Sequence, residues 1–266
     1  MPGASNYQTI LVSSDGPLLT IALNRPEVHN AFNENMITEL QEVIDHTVRE
    51  ARARVVILTG TGRSFCAGAD LNWMRRVKDY SYEENLAESK RLADLMYAIY
   101  TLPMPAIARV NGAAIGGGTG LLAACDVVIA AETAKFSLSE VKLGLVPAVI
   151  SPYVIRRVGE SRCRQLMLSG ERFKAERARR YGLVNTAVPI EDLDDAVEEQ
   201  TAQLLTSGPE ALKTCKELLR RIPLMGFQEA RDYTAEVIAR LRMSPEGQEG
   251  MAAFLEKRKP EWNKRS

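Results

Sequence analysis

After Pro189 nothing in the chain reads as a strand, whereas before it short β-type runs alternate with helical ones. That break confines the fold to an α/β core followed by a helical tail. PLLTIALN (17–24) and RVVILTG (54–60) read as strands, the second too continuously apolar to be half exposed. AIARVNG (106–112), DVVIAAE (126–132) and LVNTAV (183–188) follow as further strands. Between them, ENMITELQEVIDHTVRE (34–50) puts Met36, Leu40, Val43, Ile44 and Val48 near helical spacing. YEENLAESKRLADLMYAIYTL (82–102) is a long helix stopped by Pro103 and Pro105. Residues 190–257 read as consecutive helices, broken at Ser207-Gly208-Pro209, at Pro223 to Gly226 and at Ser244-Pro245. The organisation expected is an α/β core over 1–189 and a helical region over 190–266.

The 266 residues, 45% of them hydrophobic, supply ample material for a core. The 34 basic and 34 acidic residues cancel, which argues against nucleic acid as the main partner. A local basic patch for a small phosphorylated ligand stays open. Cys66, Cys125, Cys163 and Cys215 have no CxxC spacing and read as reduced, buried thiols. Two histidines, His29 and His46, are too few for a zinc site or a His-dependent triad, so no metal is expected. The opening MPGASNYQ has no basic-then-apolar pattern, and no apolar run approaches a membrane span. A cytoplasmic protein without membrane contact is the expectation. The basic end EKRKPEWNKRS reads as a solvated terminus, with a phosphate or partner contact as the alternative.

NGAAIGGGTGLLAACD (111–126) places Gly116, Gly117, Gly118 and Gly120 where a helix is about to begin. Glycine inside a helix costs about 1 kcal/mol against alanine. The spacing is not GxGxxG after a first strand, and the Walker pattern is absent. Two readings remain: a helix N-terminus approached by something anionic, or glycines that let a helix pack closely on a strand. RSFCAGADLNWM (63–74) sets a second small-residue turn, Ala67-Gly68-Ala69, just after another strand. Two such turns can each aim one N–H at a common point, which is the requirement of an oxyanion hole.

FCAGADL, NGAAIGGG, ACDVVIAAETAKF and SLSEVKLGLVP resemble the enoyl-CoA hydratase/isomerase (crotonase) superfamily, from LNRPEVHNAF (23–32) to FLEKRKPEW (254–262). The resemblance implies a spiral of ββα units followed by a helical C-terminal region that builds trimers, often paired into hexamers. Carried over by position, the oxyanion-hole donors are the backbone N–H groups of Ala69 and Gly117, aimed at the thioester carbonyl of an acyl-CoA. On this reading a Cβ at Gly117 would crowd the thioester, and Gly116 lets the backbone turn. Losing one such donor costs about 3 kcal/mol of barrier. Ala67, Asp70 and Leu71 line the site for the adenine and pantetheine, with Arg25, Val28, Phe254 and Lys257 as weaker CoA contacts. Glu27 stands where the family often has a basic residue. Coenzyme A belongs to the substrate, so no separate cofactor is implied.

The hydratases use two glutamates, one shortly after the third glycine and one twenty residues later. Here Gly120 occupies the first position, and the second is Glu140 in LSEVKLG. Glu140 also admits a plain reading as a helix-start residue after Ser137 and Ser139. Ala148, in PAVISP, replaces a glycine-rich stretch and a further acid of the dienoyl-CoA isomerases, implying an altered acyl pocket. One carboxylate suits isomerisation of a 3-enoyl to a 2-enoyl thioester, or decarboxylation. The overall pattern looks most like hydratases of the methylglutaconyl or isohexenylglutaconyl class, in which the substrate's own carboxylate helps position water. Glu83, Glu84, Glu88 and Tyr97 are alternative second acids, each also readable as a solvated or packing residue. Trp73 and Met74 either shape the acyl pocket or fill the core, and His29 reads as structural. A non-catalytic relative that binds acyl-CoA or RNA is the remaining alternative.

Overall fold

The computed structural model describes residues 7–50 and 52–263, and its strands are divided between two sheets, alternating from β3 to β8. β1 (Ile10–Asp15) and β2 (Leu18–Leu23) form an antiparallel hairpin. After α1 (Glu34–Glu50), β3 (Val55–Gly60) joins β2 in parallel, and β4 (Ser64–Cys66) leaves for the second sheet. α2 (Leu71–Val77) and α3 (Tyr82–Tyr100) lead to β5 (Ala106–Val110) in the first sheet and β6 (Ala113–Ile115) in the second. α4 (Gly117–Ala124) follows, and β7 (Val127–Ala131) and β8 (Lys135–Ser137) repeat the step. α5 (Ser151–Val158), α6 (Glu160–Ser169), β9 (Arg172–Lys174), α7 (Ala175–Tyr181) and β10 (Thr186–Val188) complete the pattern. The sheets run β1-β2-β3-β5-β7-β10 and β4-β6-β8-β9, parallel except at β1–β2 and β8–β9. Strand, strand, helix is thus the repeating unit, as the expected spiral of ββα units requires.

α8 (Leu193–Leu205), α9 (Pro209–Arg221), α10 (Phe227–Met243) and α11 (Pro245–Leu255) form the helical region, broken where the Gly and Pro residues predict. β3 is buried along its whole length, which explains its unbroken apolar run. Val56 and Leu58 face the main core with Met36, Leu40 and Leu95. Val55 and Ile57 face Ile107 and Ile129 together with Leu193 and Val197 of α8. Lys216 of α9 donates to Asp126 Oδ2 at 2.5 Å and to the Met104 carbonyl at 2.9 Å. Arg54 donates to the carbonyls of Ser207 and Trp262.

Some sequence expectations need adjustment. Val48, expected on the buried face of α1, is 43% exposed, whereas Met36, Leu40, Val43 and Ile44 are buried as expected. Cys66, Cys125 and Cys163 are buried free thiols, whereas Cys215 is exposed. Among the described residues no helix is long and apolar enough to cross a membrane, and no group of His, Cys, Asp and Glu is placed to hold a metal. The first six residues of the N-terminal reading and the last three of the basic end lie outside the described residues.

Candidate active site

The glycine run divides into four different jobs. Gly116 closes β6 and caps α4 at φ 52°, ψ −120°, and its N–H donates to the Ser137 carbonyl at 2.8 Å. A Cβ there would be strained and would stand 2.9 Å from Glu140 Oε1. Gly117 opens the helix. A Cβ on it would face the Phe32 ring at ordinary contact distance, 3.4 Å from Cδ2 and Cε2, so the protein itself leaves room for one there. Gly118 lies against β4, where a Cβ would come within 2.3 Å of the Cys66 carbonyl oxygen. Here glycine serves close helix–strand packing. At Gly120 a Cβ would be 2.0 Å from Ile150 Cγ2 and 2.5 Å from Ile150 Cβ. The position facing Gly120 is filled by an isoleucine, so replacing the glycine alone meets a clash.

The second turn is clamped from the neighbouring segment. Ala69 pairs with Phe32 in an isolated parallel bridge, in which Phe32 N–H donates to Gly68 O at 2.7 Å and Asp70 N–H to Phe32 O at 2.8 Å. That pattern uses the groups on either side of Ala69 and turns its own N–H away from Phe32. Neither the Ala69 nor the Gly117 N–H has an acceptor among the described residues. The two turns touch: a Cβ built on Gly68 would be 3.0 Å from the Ile115 carbonyl oxygen and 3.9 Å from the Gly117 nitrogen.

Asp70 is committed to structure through its side chain. It caps α2 by accepting from the Asn72 and Trp73 N–H groups, and Arg25 donates to its Oδ2 at 2.7 Å. Burial opposes ionisation of Asp70, but the bonds from Arg25 and from those two N–H groups outweigh it, so the carboxyl lies below the ordinary range. Arg25 also holds the Ala31 carbonyl at 2.7 Å. Both side chains are therefore occupied with each other and with the backbone.

Glu140 opens a short 3-10 turn (Glu140–Leu143), and the Ser139 hydroxyl makes no capping bond to it. Its carboxyl packs on Gly116, one residue from the mouth of α4, and Oε2 is buried without a hydrogen-bond partner among the described residues. Burial pushes this carboxyl above the ordinary carboxylate range.

The structure distributes the remaining candidates unevenly. Ala67 donates its N–H to the His29 carbonyl, Val28 is half-buried on the turn before it, and Leu71 and Ala148 are exposed. Phe254 and Lys257 lie exposed at the end of α11, which packs on α9 and α10. Glu84 forms a capping box with Ser81, Glu83 is exposed, and Tyr97 is 62% exposed. Glu88 accepts from Trp73 Nε1 at 2.8 Å, and burial and then the facing Glu34 hold its carboxyl above the ordinary range. Trp73 is buried and Met74 half-buried. His29 Nδ1 pairs with the Ser64 hydroxyl, in keeping with a structural role, and Glu27 is exposed. Sequence reading did not single out Phe32 and Ile150; each acts through a partner distant in the chain, and only the motif HNAF beside Arg25 hinted at the first.

The enoyl-CoA hydratase/isomerase family profile matches residues 14–265. The chain belongs to that family. It is 33% identical to the 2,3-dehydroadipyl-CoA hydratase of Escherichia coli over 257 residues, covering 96% of this chain and 99% of that one. It is 34% identical to the 1,2-epoxyphenylacetyl-CoA isomerase of the same organism, covering 95% and 97%. The crystal structure of an enoyl-CoA hydratase from Shewanella pealeana superposes with a TM-score of 0.94 at 42% identity, covering 97% of each chain.

Proposed function

We propose that the protein is a hydratase-type lyase that adds water to an enoyl-CoA thioester, with a branched glutaconyl-type acyl group as its substrate. The observation that carries the reading is Glu140: a carboxyl packed on Gly116, with one oxygen buried and unpartnered, beside the free N–H groups of Gly117 and the Ala69 turn. In this mechanism the thioester oxygen accepts from the Ala69 and Gly117 N–H groups. Negative charge that gathers on that oxygen as the enolate forms meets two fixed donors and the positive end of α4. Water adds its hydroxyl to the β-carbon while Glu140 gives a proton to the α-carbon. The proton left by the water restores Glu140. A carboxyl raised by burial keeps more of its protonated form near neutral pH, as a general acid needs.

The absent first glutamate is accounted for by packing. Since even a Cβ at position 120 collides with Ile150, the second charge that holds water comes from outside position 120. A distal carboxylate on the substrate supplies it. The likeness to a protein named for 2,3-dehydroadipyl-CoA, an acyl chain that ends in a carboxylate, supports this choice.

A second reading has an observation of its own. A site with one carboxyl is sufficient to move one proton along an acyl chain, so isomerisation of 3-enoyl to 2-enoyl thioesters uses the same groups. The two separate in one assay, following 3-methylglutaconyl-CoA, crotonyl-CoA and 3-hexenoyl-CoA by mass. Hydration of the first well above the second supports the hydratase. Conversion of the third without gain of water, and none for the first, replaces it with the isomerase.

A further inference from the structure

We infer that Phe32 is the positioning residue that fixes the Ala69 and Gly117 N–H groups relative to each other; the inference rests on the oxyanion-hole reading above. The two donors stand on different ββα units, 48 positions apart in the chain; Phe32 pairs with the first through its backbone and faces the second with its ring. Its backbone brackets Ala69 through bonds of 2.7 and 2.8 Å to the residues on either side. Its ring is the surface under Gly117, 3.4 Å from where a Cβ would stand. The side chain is 1% exposed, so the ring has little freedom to move away from that contact.

Phe32 is itself held from behind. Arg25 ties the carbonyl of the preceding Ala31 to the Asp70 carboxylate. Asn30, fully buried at φ 56°, donates to the Thr61 and Ser64 carbonyls and accepts from the Arg25 N–H. His29, at φ 54°, takes the Ala67 N–H on its carbonyl. Two consecutive non-glycine residues in the left-handed region persist only where their surroundings over-determine them. Segment 25–32 is therefore wired to segment 61–70 along its length, and the ring carries that rigidity across to α4. Donors that stabilise a developing oxyanion act only within a few tenths of an ångström of their place, and small misplacements cost large factors in rate. Phe32 makes no contact with the reacting atoms in this scheme; it acts through the two N–H groups.

The test reads the hole directly. The infrared carbonyl stretch of bound crotonyl-CoA, carbon-13 labelled at the thioester carbonyl, is compared in wild type, Phe32→Leu and Phe32→Met. Wild type is expected to lower the stretch on binding. Phe32→Leu, which removes the ring edge, should lose about half of that shift or more. Its kcat on 3-methylglutaconyl-CoA should fall about tenfold or more, with KM changed less than about threefold. Phe32→Met, which keeps an apolar side chain without the ring, should weaken the shift in the same way. It also serves if Phe32→Leu does not fold. An unchanged shift in either folded variant overturns the inference while leaving the hole intact. No shift in wild type overturns the oxyanion-hole reading itself.

Discussion

Glu140 has opposite effects on stability and on the proposed chemistry. Its folded pKa is raised by burial, so the native state keeps the proton to higher pH than the unfolded chain. The stability this contributes is present below the unfolded carboxyl range and is lost as pH rises through the folded value. Glu140→Gln is neutral throughout. Thermal melts should therefore show the variant more stable than wild type near pH 8, with the gap closing toward pH 4. Its kcat should fall about 100- to 10,000-fold while CoA-thioester binding persists. Near wild-type turnover would remove Glu140 from the mechanism. Gly120→Glu alone is expected to lower the melting temperature, because its Cβ overlaps Ile150. Ile150→Ala does not clear the space, since the Ile150 Cβ is itself 2.5 Å away. Gly120→Glu with Ile150→Gly is the pair expected to gain hydration of crotonyl-CoA, followed at constant substrate by loss of the enoyl absorbance.

Among the elements, legibility followed the apolar pattern. α1 spans Glu34–Glu50, the residues its periodicity marks, and β2, β3, β5 and β7 lie inside their predicted segments, whereas β1 was missed because only Ile10 of its six residues is buried. The second sheet was not legible. β4, β6, β8 and β9 have three residues each, too few for a period-two pattern, and two of them hide inside turns read as glycine-rich. The candidate site shows the same division. Glycine turns and Glu140 stand out locally, whereas the Phe32 contact and the Ile150 filler depend on packing between distant residues. Asp70 looked like a binding residue because it follows the turn, and its carboxylate is spent on a helix cap and Arg25. A further prediction belongs to α9. Lys216 is buried and tethers the helix to Asp126 of the preceding core. Lys216→Met should cost about 1–3 kcal/mol in urea unfolding, since it removes a charge-assisted hydrogen bond from a partly exposed carboxylate and leaves the Met104 carbonyl without its donor. A change near zero would mean that Asp126 is satisfied by the Ala106 N–H and by solvent.

Over the whole molecule, the helical region presents more apolar surface than one chain can use. Phe227, Phe254, Met243 and Leu255 are each at least 79% exposed, and Leu219 and Leu224 add to them. Surfaces of this kind mark association. Light scattering is expected to give a trimer or hexamer, and a monomer at micromolar concentration would contradict that expectation. Phe227→Asp with Leu255→Asp should shift the distribution toward smaller species without unfolding the sheet, read by far-ultraviolet circular dichroism.

The packing of α8 on the far face of the first sheet has a consequence for how the protein is made. Val55, Ile57, Ile107 and Ile129 are translated long before Leu193 and Val197, the residues that cover them. At about 5–20 residues per second, that face stays open for several seconds after β3 leaves the ribosome. Asp126 likewise waits for Lys216, 90 positions downstream. The nascent sheet is thus an apolar plane in need of a temporary cover, and a ribosome stalled near codon 190 would display a chain that chaperones should hold tightly.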